Sequence, residues 1–175
     1  MRDERGERDE TVQQHLLARA RSRRWYALCG ARLYCIATQT GTFPDTGWHV
    51  PDEMGGVWAP PIKLLDGYWL GVREEGREPH WLTSATTWQR AADGVTLHYV
   101  VPTLGIEVSR RDWIVPDESV LVIEVEIAPA PQRDTPAPPN LECGLALRSD
   151  LRGIWLSDER LGLHDGEDVA TFDDE

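Results

Sequence analysis

Apolar and polar residues alternate along much of the chain between residues 80 and 128, and this period of two predicts a series of β-strands. Each run is bounded by a turn signal, and Asp93–Gly94 is a strong one because this dipeptide favours a tight hairpin. Strands that follow one another with short turns are typical of an antiparallel β-sandwich. The predicted strands of this region are His80–Gln89, Val95–Val101, Ile106–Arg111 and Val120–Ala128.

Further strands are predicted on either side of this region. Leu33–Thr38 and Leu141–Leu147 are apolar runs of strand length with turn signals near them. Val169–Phe172 has the same character, but no later strand follows to pair with it. Because the edge of an antiparallel sheet needs a partner or a cover, we expect the sandwich to be incomplete at its C-terminus.

The first segment predicts a helix instead. It carries an irregular apolar stripe, which indicates a helix that begins at Asp9 or Thr11 and ends near Ala27. The predicted fold class is therefore mainly β, an antiparallel β-sandwich with one N-terminal helix. We divide the chain into a helical segment, residues 1–30, and a β-sandwich domain, residues 31–175.

Residues 42–72 combine glycine, proline and large aromatic residues at high density. Glycine and proline at this density oppose a long helix or a central strand, while the aromatic residues oppose a disordered linker. We therefore predict a long ordered loop with flat apolar rings beside carboxylates. Such a surface suits a sugar, but buried tryptophan is common in a small domain, so composition favours a core position for these rings. The candidate carbohydrate-binding or interface residues are Asp45, Trp48, His49, Trp58, Asp66, Tyr68 and Trp69.

The same segment contains four carboxylates, Asp45, Asp52, Glu53 and Asp66. Glycoside hydrolysis needs two carboxyl groups about 5–10 Å apart, one of them with a raised pKa. Loop carboxylates in an acidic protein are usually solvated, so we assign no catalytic residue. The possible cation ligands are Asp45, His49, Asp52 and Glu53, but their spacing matches no known cation-binding loop, and we expect neither a metal nor a cofactor.

Charge and cysteine content narrow the function classes. The formal net charge of −12 argues against nucleic-acid binding and against docking to an anionic membrane surface. No stretch is long and apolar enough to span a bilayer, and Arg32 interrupts the apolar run near the N-terminus, which opposes a secretory signal. The three cysteines fit no metal spacing, so we expect reduced, mostly buried thiols in a cytoplasmic protein.

Several motifs follow one another in an order that resembles one enzyme family. They are Leu33–Gly41, Phe43–Pro44, Asp93–Tyr99, Ile106–Trp113 and Pro116–Leu121. Together they resemble the N-terminal β-sandwich domain of bacterial glycoside hydrolases that have an (α/α)6 barrel, the glucoamylase, glycogen-debranching and glycoside-phosphorylase relatives. In that family the sandwich is of the galactose-mutarotase-like type, also called a supersandwich.

The resemblance implies a partner. In the family the sandwich packs against the barrel, and the barrel carries the catalytic carboxylates. We therefore expect no activity from this chain alone, and its partner to be an (α/α)6 catalytic domain or the separate chain that contains it. Glucan oligosaccharides are the expected ligands of the sandwich and the barrel together. The resemblance also implies that some aromatic side chains of segment 42–72 lie in the core and others at the interface with the barrel.

Two other functions also fit the residues. A free-standing carbohydrate-binding module predicts exposed, coplanar tryptophans. A small mutarotase-like sugar epimerase requires a histidine acid and a glutamate base around the sugar. The residues available for these two roles are His49, His80 and His98 with Glu124 or Glu126.

Overall fold

The computed structural model describes residues 18–20, 24–45, 54–131, 138 and 140–153, and the structural statements below refer to these residues. This part of the chain is mainly β and contains no α-helix; a single 3₁₀ turn spans Pro102–Leu104. Its strands are β1 (Ala18–Arg19), β2 (Trp25–Cys29), β3 (Tyr34–Thr38), β4 (Gly56–Ala59), β5 (Ile62–Glu74), β6 (His80–Trp81), β7 (Thr87–Arg90), β8 (Val95–Val101), β9 (Ile106–Ile114), β10 (Leu121–Pro129) and β11 (Leu141–Gly153).

The strands form two antiparallel sheets. Sheet A has the order β1-β7-β8-β9-β10, so β7 to β10 are a meander in which each strand pairs with the next along the chain. Sheet B has the order β11-β5-β4-β3-β2, with β6 attached to β5. The mainly β, antiparallel prediction is therefore confirmed.

The meander forms where the sequence predicts it. In β8 the residues Val95, Leu97 and Tyr99 are buried, while the residues between them are partly exposed. The predicted Asp-Gly turn joins β7 to β8, and the backbone N–H of Ala91 donates to the carbonyl of Gly94 at 2.9 Å. Short turns and period-two alternation specify this register because a slip of one residue would expose the buried side chains.

The predicted N-terminal helix is wrong where the structure describes it. Ala18–Arg19 and Trp25–Cys29 are strands, and the latter pairs along its whole length with Tyr34–Thr38. Tyr26 and Leu28 are buried and their neighbours are not, so the period in β2 is two. Pairing with β3 decides the conformation in place of helix propensity. The remainder of the predicted helix, and the predicted strand at 169–172, lie outside the described residues.

The prediction that residues 42–72 contain no central strand is also wrong. β4 and β5 lie inside sheet B, and Pro60 and Pro61, joined by a cis peptide bond, form the turn between them. Proline there removes no ladder hydrogen bond. The glycines of β5 allow close packing: a Cβ atom on Gly67 would lie 2.4 Å from Cδ2 of Phe43. The division at residue 30 stays a prediction, although β2 belongs to sheet B.

The predicted strand His80–Gln89 is two strands in different sheets. β6 pairs with β5 of sheet B, and β7 pairs with β8 of sheet A. Between them the chain crosses from one sheet to the other, and Leu82 N–H donates to the Leu70 carbonyl at 2.8 Å. The threonine and tryptophan residues that favour a strand continue through the crossing, so composition does not mark the break.

Both sheets contribute to one buried core. Sheet B supplies apolar residues of β2 to β5, and sheet A supplies those of β8 and β9. Tyr26 of β2 and Trp88 of β7 lie with their rings parallel and their centroids 6.4 Å apart. The core is thus closed by side chains from both sheets rather than by one sheet and a helix.

Candidate functional site

Trp58, a predicted ligand-binding residue, is part of the packed interior. It is 3% exposed, and its Nε1 donates to the carbonyl of Gly55 at 3.1 Å. Its ring lies parallel to that of Tyr34 with the centroids 5.9 Å apart. Both the face and the polar edge of the indole are occupied, so Trp58 is not available to stack on a sugar.

Tyr68 is a core residue as well. It is 1% exposed, and its hydroxyl donates to Oδ2 of Asp112 at 2.8 Å, which links sheet B to sheet A. The ring of Phe43 meets it edge-on with the centroids 4.9 Å apart. Tyr68 therefore joins the two sheets and has no face free for a ligand.

Trp69 and Asp45 differ from these two residues. Trp69 is half-buried and meets Phe43 edge-on at 5.7 Å, with the guanidinium carbon of Arg148 5.8 Å from its ring centroid. Asp45 is exposed. Trp48 and His49 lie outside the described residues, so their predicted roles stay predictions.

Asp66, the remaining candidate carbohydrate-binding residue, belongs to a charged network with Lys63, Arg148 and Asp150. Lys63 is the only lysine in the chain, and its side chain is fully buried. Its Nζ pairs with Asp66 and lies 2.8 Å from Oδ2 of Asp150, and it lies 5.8 Å from the ring centroid of Trp58. Asp66 Oδ2 accepts from Arg148 at 2.7 Å.

The network is suited to structure rather than to acid catalysis. Burial raises the pKa of Asp66, but hydrogen bonding and the charges of Lys63 and Arg148 outweigh burial and hold it below its usual value. A glycosidase acid needs the opposite shift. Lys63 and Asp66 are on β5, and Arg148 and Asp150 are on β11, so the network joins the strands where their register is irregular.

A second ionic cluster lies in the core, and it was not predicted from the sequence. Arg110 and Asp112 on β9 have fully buried side chains. Arg110 Nε donates to the two Asp112 oxygens at 2.8 and 3.0 Å, and its guanidinium carbon lies 4.7 Å from the Tyr68 ring centroid. The alternating pattern of β9 could have indicated it, because Arg110 and Asp112 occupy the same alternate positions as the buried apolar residues of this strand.

Cys35 lies in the same part of the core. It is fully buried, and burial raises the pKa of its thiol to about 12. The protonated thiol is not a nucleophile at neutral pH. The prediction of mostly buried thiols is wrong for the other two cysteines, since Cys29 and Cys143 are exposed, and all three are free.

Sheet B leaves one apolar surface uncovered by the described residues. Tyr68, Leu70 and Val72 on β5 face the core, and their partners on the edge strand β11 are Leu147, Leu145 and Cys143. Directly paired residues point to the same side of a sheet, yet Leu145 is 52% and Leu147 is 60% exposed. We call Cys143, Leu145 and Leu147 the edge face.

Comparisons with known proteins identify no relative: no family model matches the chain, and no curated protein or solved structure matches it at a significant level. Among the described residues no group of three or more histidine, cysteine, aspartate or glutamate side chains could hold a metal. The same residues include no helix with the length and apolar character needed to cross a membrane.

Proposed function

We propose that the two sheets form a β-sandwich, and that this sandwich is a non-catalytic accessory domain that packs against the (α/α)6 catalytic barrel of a glycoside hydrolase, in the same chain or in a separate one. The observation that carries the proposal is the edge face. The order of sequence motifs that resembles this family supports the same conclusion.

The edge face has the chemistry of an interface rather than of a solvated surface. Fully burying a leucine side chain is worth about 1.5–3 kcal/mol, so leaving Leu145 and Leu147 largely exposed is costly unless a partner covers them. Among the described strands, β11 is also a 13-residue strand at the end of sheet B. A long apolar edge strand is a template for association that a partner domain would cover.

The residues first considered for chemistry support an accessory role. Trp58 and Tyr68 are occupied within the fold, and Asp66 has its pKa shifted away from that of a general acid. The alternative of an epimerase is less well supported: His80 is exposed on a two-residue strand, and His98, although paired with Ser109 like Glu126, is not among the residues that line a depression beside Glu126. For a free-standing binding module, the exposed tryptophans Trp25 and Trp81 lie on β2 and β6, which are not neighbours.

The neighbouring genomic sequence gives the first test. We expect the same reading frame, or an adjacent one, to encode a helical (α/α)6 barrel. A genome in which no such barrel is encoded next to this chain contradicts the proposal.

Copurification gives the second test. When the chain is co-expressed with that barrel, we expect the two to purify together and Leu147→Glu to reduce the recovered barrel at least tenfold, because a charge would be buried in the interface. Val120→Glu is the matched control, since Val120 is 46% exposed and precedes β10, away from the edge face. Equal loss in both variants, or no copurification of the unmodified pair, would contradict the proposal.

A further inference from the structure

A depression of about 410 Å³ opens on the face of sheet A that points away from the core. Core-facing residues of β8 and β9 are buried, and the residues between them, including Thr96, Ser109 and Arg111, point outward and are half-buried. The residues that line this outer depression come from β8, β9 and β10, and they are Thr96, Ser109, Arg111, Glu124, Val125 and Glu126.

The strand register arranges the polar lining residues in two adjacent rows. Thr96, Arg111 and Glu124 are directly paired across three strands, and Ser109 and Glu126 are paired in the next row. Directly paired side chains begin about 4.5–5.5 Å apart. Hydrogen-bond donors and acceptors therefore alternate at intervals comparable to the width of a sugar ring.

Arg111 is held in position by its neighbours. Its Nη2 donates to Oδ2 of Asp93 at 2.8 Å, its Nη1 lies 4.0 Å from Oε2 of Glu124, and its guanidinium carbon lies 4.9 Å from the ring centroid of Trp113. A donor that is already oriented loses less freedom when a ligand binds. Two carboxylates flank this guanidinium and Glu126 adds a third, so the depression does not present the excess positive charge that an anion requires.

We propose that the outer depression binds a neutral oligosaccharide. Glu126 and Ser109 accept hydrogen bonds from sugar hydroxyl groups, and Arg111, which lies over the ring of Trp113, donates to them. A volume of about 410 Å³ lies within the range of small-ligand sites.

A neutral ligand fits this set better than a charged one. A cation would compete with Arg111, whose guanidinium already pairs with Asp93 and Glu124, and an anion would meet both Glu124 and Glu126. A polyol uses the donors and the acceptors together. The inference rests on the proposed carbohydrate role of the domain, but its residues are on sheet A and are separate from the edge face of sheet B.

Titration of the full chain with maltotriose and with cellotriose, followed by ¹H–¹⁵N NMR, tests the inference. We expect saturable shifts with at least one of the two sugars, centred on residues 96, 109, 111, 124 and 126. Glu126→Gln should weaken binding about tenfold, because the charged acceptor is replaced by a neutral amide. Glu142→Gln is the control, since Glu142 is an exposed, arginine-paired carboxylate on sheet B, and it should change affinity less than twofold.

Ser109→Ala provides a second variant should Glu126→Gln fold poorly, and it should also weaken binding. The inference is overturned if neither sugar gives a saturable shift, or if the shifts centre on β11. It is also overturned if spermidine reproduces the shifts and salt abolishes them, because that would identify a cation site. These outcomes are independent of copurification with a barrel, so failure of one proposal is distinguishable from failure of the other.

Discussion

Arg110 and Arg111 are neighbours in sequence but lie on opposite faces of β9, in opposite environments. The Arg110–Asp112 pair is fully buried, whereas Arg111 and Asp93 are 41% and 65% exposed. Removing one member of a buried pair leaves an uncompensated charge in a region of low dielectric, while a surface pair is screened by water and salt. The same two residue types therefore contribute very differently to stability.

Asp112→Ala should destabilise the protein by about 3–5 kcal/mol, because Arg110 would remain buried without its counter-charge. Asp93→Ala, the matched change at the exposed pair, should cost less than about 1 kcal/mol. Urea unfolding followed by tryptophan fluorescence measures both.

Tyr68→Phe is a milder probe of the same cluster. It removes only the hydroxyl that donates to Asp112 and should cost about 1.5–3 kcal/mol, since the lost hydrogen bond has a charged acceptor.

Equal stability of Asp112→Ala and Asp93→Ala would show that the Arg110–Asp112 pair is not buried in solution.

At the scale of strands, local signals predicted the meander β7 to β10 correctly. Every pairing there joins consecutive strands, and turn residues together with period-two alternation are sufficient to place them. The same reasoning failed for β2, because an irregular apolar stripe is compatible with either period and pairing with β3 decides between them. It failed at the end of β6 because residues with high strand propensity, threonine and tryptophan, continue while the chain changes sheets.

The candidate site was less predictable than the fold. Composition alone treated the glycines and prolines of residues 42–72 as obstacles to a strand, although their effect depends on the residues that pack against them. Gly67 lies under Phe43, and the two prolines occupy a turn. Burial of Trp58 and Tyr68 depends on partners distant in sequence, and Asp112, the partner of Tyr68, is 44 residues away.

Two strand glycines give a prediction at this scale. Gly67→Ala should destabilise by about 1–3 kcal/mol, because its Cβ atom would overlap the Phe43 ring. Gly144→Ala on β11 should be neutral or stabilise by up to about 1 kcal/mol, since no atom of the described residues lies within 4 Å of the new methyl group. Thermal and urea unfolding of the two variants provide the comparison; a similar response from both would contradict the packing of Phe43 on β5.

For the whole molecule, one shared core means that protection of Cys35 reports on the integrity of both sheets. The thiol is fully buried, and its pKa is raised to about 12 by burial first of all. Cys29 and Cys143 are exposed on strands of sheet B. The three thiols therefore distinguish surface reactivity from opening of the core.

Under native conditions two thiols should react promptly with a thiol reagent, and the third only after unfolding. In a Cys29→Ser/Cys143→Ser variant, Cys35 should react more than about a thousandfold more slowly than the exposed thiols, because it requires global opening. Its rate should rise with urea in parallel with unfolding. Prompt reaction of Cys35 in native buffer would contradict a core shared by the two sheets.

The pairing of β5 with β11 also has a kinetic consequence. Arg73 and Glu142 face each other across that pair, yet 69 residues separate them in sequence. Loop closure over such a distance is slow, whereas the meander of sheet A closes through short turns. During synthesis β5 leaves the ribosome long before β11 does. We therefore expect sheet A to form a folding nucleus, and one side of β5 to stay open until β11 joins it and completes sheet B.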